Sequence, residues 1–410
     1  MSHCIAAETG RKGSSALTLR YRVRRWLLPA AYLLLAWIAA VQQWSLQRPG
    51  DPYTHYNNYV IFRQAFAHLV TGQDLYVEYL AEHWDYFRYS PSFAFAFGAF
   101  AWMPDVAGLL LWNTLNASVL LLALWKLPAL PAPFRVDRIR LAVGWFVAIE
   151  MMTALQNAQS NVLIAGLLIV AFDSLERRQN ALAALSIVVA AFTKPFALVG
   201  FSLFLFYPEK GRLAFWSLLW TGVVAALPLA AVSPAHLAGL YAGWWRLLSS
   251  DFAGATGLSI MGWLAAWFNL HPPKVLVDLV GIALFCWPLV YVARYRDIAF
   301  RLLVLCNVLL WVVLFNHKAE SSSYIIAICG VGLWFFSREK SRLNVILVSL
   351  AFVFTCLSPT DVFPRSLSAS LFEPYVIKVV PCLLVWLKVT YELISGGGRP
   401  YPASRIVAAG

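Results

Sequence analysis

Apolar runs broken by short polar turns make up most of the chain from residue 26 onward. A helix needs about 20 mainly apolar residues to cross a bilayer. Runs of that length, or close to it, lie at 26–45, 106–125, 139–155, 160–174, 180–193, 196–207, 213–233, 273–293, 298–315, 321–336, 343–358 and 375–394. Two shorter runs, 91–103 and 257–269, are expected to enter the membrane without spanning it. Re-entrant or half-depth helices do so where they line a hydrated cavity inside the protein. The pattern predicts an all-α polytopic membrane protein, a single bundle of about 12 crossings over residues 26–394, with tails at 1–25 and 395–410. The longest polar stretch is 46–90. Within it Val60, Ile61, Phe62, Phe66, Leu69 and Val70 recur at helical spacing. They predict an amphipathic helix over 59–70 that lies at the interface and is stopped by Gly72.

Composition sharpens the class. The chain is 60% hydrophobic and 13% charged, with a mean hydropathy of +0.67. Soluble domains are nearer roughly 45–50% apolar and 25% charged. A net charge of +12 would suggest nucleic acid in a soluble protein. Here the cations sit in the N-terminal tail and in short loops, at Lys126–Arg140, Arg177–Arg178, Lys210–Arg212, Arg294–Arg301 and Arg338–Arg342. That placement marks cytoplasmic loops. The intervening loops, 46–90, 155–160, around 194, 234–256, 316–321 and 359–374, are poor in Lys and Arg or not basic overall, and take the opposite side. Both termini are then cytoplasmic, and a bacterial inner membrane is the expected location. The run 26–45 follows a basic tail but precedes no small-residue cleavage site, so it reads as the first permanent crossing. Cys4 lies in the tail, while Cys286, Cys306, Cys329, Cys356 and Cys382 lie inside apolar runs without ligand spacing. They read as small hydrophobes, with no metal site.

Four polar patches fall on the non-cytoplasmic side. The first loop holds Asp51, Asp74, Glu78, Glu82 and Asp85 together with His55, Asn57, Asn58, Arg63, His83 and Arg88. Trp84, Tyr86, Phe87 and Tyr89 interleave with its end, and aromatic faces beside carboxylates suit a sugar. Gln156, Asn157, Gln159, Ser160 and Asn161 form an amide-rich turn, which serves either as helix glue or as ligand contacts. Thr193-Lys194-Pro195 interrupts an apolar stretch; a cation there is costly unless paired or functional, and a phosphate ligand would explain it. Asn316-His317-Lys318-Ala319-Glu320 lies between two crossings. Together they describe one external site with cations for a phosphate, carboxylates for a base, and aromatics and amides for a sugar. There is no P-loop, no GxGxxG and no DxD pair. Charges are not expected to be buried mid-helix as relays, which ion-coupled transport would need.

Several segments, taken in order, resemble glycosyltransferase family 87: NNYVIFRQAFAHLVTGQDLY, FRYSPSFAFAFGAFAWMP, LLWNTLNA, QNAQSNVLIAGLL and the TKP break, over roughly residues 40–340. The resemblance implies a GT-C-like membrane enzyme that takes one sugar, mannose or another hexose, from a polyprenyl phosphate. The acceptor would be a glycan or glycolipid hydroxyl on the outer face, with inversion, and with no cofactor, metal or nucleic acid. In that reading Lys194, His317, Lys318, Arg63 and Arg88 bind the donor phosphate. Asn58, Tyr89, Gln156, Asn157, Gln159 and Glu320 hold the sugar or the acceptor. The family's catalytic acid lies near the start of the first external loop. Counting back from GQDLY, the matching position falls on Asn58, an amide that cannot act as a base. The role passes to Asp51 first and Asp85 second. The alternatives are a transporter or non-catalytic scaffold for lipid-linked glycans, and a glycan ligase or polymerase using a pyrophosphate donor.

Overall fold

A computed structural model describes residues 26–48, 50–127, 136–251 and 256–396. The N-terminal tail, the C-terminal tail from residue 397 and most of the loop within Lys126–Arg140 lie outside the described residues. Within them the chain is helical, without strands. The helices are α1 (Trp26–Ser45), α2 (Asn57–Thr71), α3 (Pro91–Ala101), α4 (Asp105–Lys126), α5 (Val136–Gln156), α6 (Asn161–Glu176) and α7 (Asn180–Thr193). A 3-10 helix (Pro195–Phe206) leads to α8 (Lys210–Ala226), α9 (Pro234–Asp251), α10 (Ile260–Phe268), α11 (Lys274–Cys286), α12 (Ile298–Leu314), α13 (Tyr324–Phe336), α14 (Arg342–Ala351), the single turn α15 (Arg365–Leu367) and α16 (Val379–Ser395). Among the described residues, four helices, at 26–45, 105–126, 138–156 and 210–230, are long and apolar enough to cross a membrane. Others are shorter than the runs that predicted them. The run 196–207 forms a 3-10 helix with Pro195 in its first turn, and a rise of about 2.0 Å per residue stretches this short segment further than an α-helix would.

Burial sorts the helices. Every residue of α13 from Tyr324 to Phe335 is buried, as befits a helix apolar all round. On α8 only Leu213 and Val224 are buried, while Leu218 is 75% exposed and Phe215 58%. Apolar surface of that kind has lipid as its natural cover.

The basic loops share one end of the bundle. Arg177 donates to the Lys126 carbonyl at 2.8 Å, Arg301 grips Glu176 with two bonds at 2.6 and 2.8 Å, Arg338 reaches the Ala299 carbonyl, and Arg294 the Leu393 carbonyl. At the other end, α2 packs along α3: Phe62 meets Tyr89, Phe93 and Phe97 with centroids 4.7, 5.1 and 5.3 Å away. Tyr59 bonds the Phe100 carbonyl. Both ends of α3 therefore stay beside α2. Gly72 closes α2 in the left-handed conformation (φ 76°) that glycine adopts without strain.

One expectation fails. Glu150, inside α5, is fully buried and accepts from Lys378 Nζ at 2.7 Å. Charges do lie buried among these helices.

Candidate functional site

The site begins with how four segments end. α7 stops at Thr193 because the residue before a proline is pushed out of the helical region. Lys194 is accordingly extended (φ −140°, ψ 122°), and its side chain leaves the helix line. Tyr89 is set by the start of α3, where Ser90 caps Phe93 N and Pro91 takes the first turn. Gln159 sits in the turn between α5 and α6, just after Ala158, which has a positive φ of 50°. The indole of Trp112 donates to the Ala158 carbonyl at 2.9 Å. Asn113 bonds the Leu155 carbonyl and Asn116 receives Leu163 N, so the two buried asparagines of α4 hold that turn. Glu320 caps the 3-10 turn Ser321–Ser323 in a reciprocal box with Ser323.

These ends meet around a cavity of about 470 Å³. Asn58, Asp85, Arg88, Tyr89, Gln159, Lys194, His317, Lys318 and Glu320 all line it. Lys194 Nζ donates to Gln159 Oε1 at 3.1 Å and to Asn161 Oδ1 at 3.0 Å, and lies 5.5 Å from the Tyr89 ring centre. Gln159 also accepts from Tyr89 Oη at 2.9 Å and donates to Glu320 at 3.2 Å. Asn161 donates to Ser322 Oγ at 3.3 Å. The ammonium thus faces neutral amide oxygens, with the Glu320 carboxylate one amide further away. Burial raises the Tyr89 phenol above its ordinary range, so it acts as a hydrogen-bond donor and not as a base. Asp85 pairs with Arg88 at 2.6 Å and accepts from Tyr86 N at 2.8 Å.

The other sequence-predicted residues face elsewhere. The Asp51 carboxylate turns back on its own loop, accepting Arg48 N at 2.8 Å with His55 at 3.8 Å. Arg63 pairs with Asp105 and ties α2 to the start of α4. Gln156 bonds Gln42 on α1. Asn157 bonds the Thr153 carbonyl and gives its own carbonyl to Asn58 Nδ2 at 2.9 Å. The amide run therefore divides into helix glue at 156–157, cavity wall at Gln159, and Asn161 buried behind it against Lys194 and Ser322. Phe87, expected as a sugar platform, is buried in the aromatic core beside Tyr76, Tyr89 and Phe93. Tyr86 lines the cavity in its stead. Glu82 is taken up by His68 at 3.1 Å.

Sequence reasoning missed Phe196, Leu248 and Gly257, which also line the cavity. The first two are single apolar side chains and carry no signal. Gly257 has a positive φ (50°), and a Cβ there would lie 2.6 Å from the His317 carbonyl oxygen. Only glycine lets this strand of chain lie against the 316–320 turn, where Leu258 N bonds the Ala319 carbonyl at 2.8 Å.

No curated protein matches the chain. A family match does exist, and it covers residues 87–316, more than half of the 410 residues. That segment carries half of the residues lining the cavity, from Arg88 through Lys194 to Asn316, while Asp85 and the His317–Glu320 turn lie just outside it. The chain belongs to glycosyltransferase family 87.

Proposed function

We propose that the cavity transfers one sugar, mannose or another hexose, from a polyprenyl-phosphate donor to a hydroxyl of a glycan or glycolipid acceptor. The observation that carries this reading is the set of charges around one space. Lys194, Arg88, His317 and Lys318 line the same space as the carboxylates of Asp85 and Glu320. As the glycosidic C–O bond breaks, the donor phosphate goes from one negative charge to two. Cations already in place beside it stabilise that developing charge without having to reorganise. Asp85 takes the proton of the acceptor hydroxyl, whose oxygen attacks the anomeric carbon from the face opposite the phosphate. The transition state is oxocarbenium-like and the product is inverted. Glu320 and Gln159 hold sugar hydroxyls. Asp85 replaces Asp51 as the first choice of base because Asp51 does not line the cavity.

In this reading the basic end of the bundle is cytoplasmic and the cavity lies at the extracytoplasmic end of about a dozen crossings. The lipid tail of the donor lies between helices beside the cavity mouth.

The test is turnover. Purified protein in nanodiscs receives polyprenyl-phosphate hexoses labelled in the sugar, with a glycolipid acceptor, and label is sought in the acceptor. Transfer with inverted anomeric configuration is expected. Donor binding without transfer would replace the enzyme reading with a scaffold or transporter. Transfer from a pyrophosphate-linked donor alone would make the protein a ligase or polymerase.

A further inference from the structure

Behind the cavity wall lies a second polar cluster that no step of the transfer uses. Lys378, buried just before α16, donates to Glu150 Oε1 at 2.7 Å and to Ser321 Oγ at 2.9 Å. It also stands 5.4 Å from the Tyr324 ring centre. Ser321 is the residue after Glu320, the first of the 3-10 turn that Glu320 caps. The second oxygen of Glu150 is buried with no hydrogen-bond partner. A buried carboxylate half satisfied in this way is costly to keep.

Backbone geometry points to the same residue. Val376, two residues before Lys378, has a positive φ of 51°, a strained conformation for a β-branched side chain. Phe352–Leu357 runs as a π-helix, and from it Thr355 donates to the Lys378 carbonyl at 2.9 Å. Local strain of this kind persists only where surrounding structure enforces it, and it gathers at functional sites.

We infer that Lys378 is a positioning residue for the transfer site: its ammonium, held by Glu150, fixes the Ser321 hydroxyl and through it the 316–323 turn that carries His317, Lys318 and Glu320. The inference rests on the proposed function only for the meaning of the turn. The positioning itself is independent of it.

Three variants test it. Lys378→Met leaves Glu150 without its cation and is a risk to folding, so the Glu150→Gln/Lys378→Met pair removes both charges together at similar volume. Ser321→Ala deletes the hydroxyl alone, and Ser321→Thr keeps it. Hydrogen exchange of the full-length protein reads the turn directly. The double variant and Ser321→Ala should each speed exchange across 316–323 by about tenfold, in line with loss of a hydrogen bond to a charged group. Exchange in α12 and α13 should stay unchanged, and Ser321→Thr should restore wild-type exchange. Where transfer is measurable, kcat of the folded double variant should fall by about tenfold to a hundredfold, because small misplacements are costly in rate. Unaltered exchange at 316–323 in both the double variant and Ser321→Ala overturns the inference, whether or not the wild type transfers sugar. Normal positioning effects in a protein without transferase activity would instead count against the function reading.

Discussion

Two lysines sit among apolar helices, and their neighbours suit them to opposite roles. Lys194 meets two amide oxygens, from Gln159 and Asn161, at a cavity wall. Lys378 meets a carboxylate and a serine in the packed interior. Amide oxygens satisfy an ammonium's protons without neutralising it, and the Glu320 carboxylate stands one amide further away, so among the described residues Lys194 has no carboxylate bonded to it at the cavity. A carboxylate cancels the charge, so Lys378 spends it on structure. The lesson is general for membrane-buried cations: the partner, more than the cation, tells a binding group from a structural tie.

Substitutions can break that contrast. The largest effect is expected at the base, where the comparison does not reach and so supplies the scale. Asp85→Asn should lower transfer by about 10²–10⁴, the usual cost of losing a general base, while donor binding measured by equilibrium retention persists. Asp51→Asn should leave the rate near wild type; a dead Asp51→Asn beside an active Asp85→Asn would exchange the two roles.

Lys378→Met comes next and should act on stability. Removing one member of a buried pair leaves the other charge uncompensated, at a cost of about 3–5 kcal/mol, seen as a lower midpoint of thermal unfolding in detergent. Lys194→Met should do the reverse. Its amide partners are neutral, so the unfolding midpoint should hold or rise. Transfer, however, should fall by about tenfold to a thousandfold through the lost charge-assisted contact to phosphate. If Lys194→Met instead unfolds the protein at normal specific activity, the contrast between the two lysines is gone.

A smaller effect tests how the cavity wall is closed. Gly257→Ala should cost about 1–3 kcal/mol, because alanine must adopt a left-handed conformation against the His317 carbonyl. It should also loosen donor binding. Smallest of all, Arg63→Met should cost no more than about 1 kcal/mol, the range for a partly exposed ion pair. A large loss of donor affinity in Arg63→Met would return that arginine to the phosphate site.

Much of this was written along the chain. Apolar run length, the breaking effect of Pro195, the stop at Gly72 and the clustering of Lys and Arg are local properties, because they depend on a few neighbouring residues and on solvent. They placed most of the helices, though not α9, which forms over 234–251 where a loop was expected, and put Asp85, Lys194, Gln159, His317, Lys318 and Glu320 among the candidate residues before any tertiary contact was known. Tertiary structure decided which candidates share a space. Asp51 and Asp85 are carboxylates of one loop, yet only the second lines the cavity, since Arg48 N captures the first. Phe87 and Tyr86 are adjacent aromatics, and packing sends one into the core and the other to the wall. Glu150 and Lys378 are separated by 228 residues, and nothing local pairs them. The physical reason is that desolvation and hydrogen bonding act between groups brought within a few ångströms by the packing of whole helices, a relation that composition and spacing along the chain do not contain.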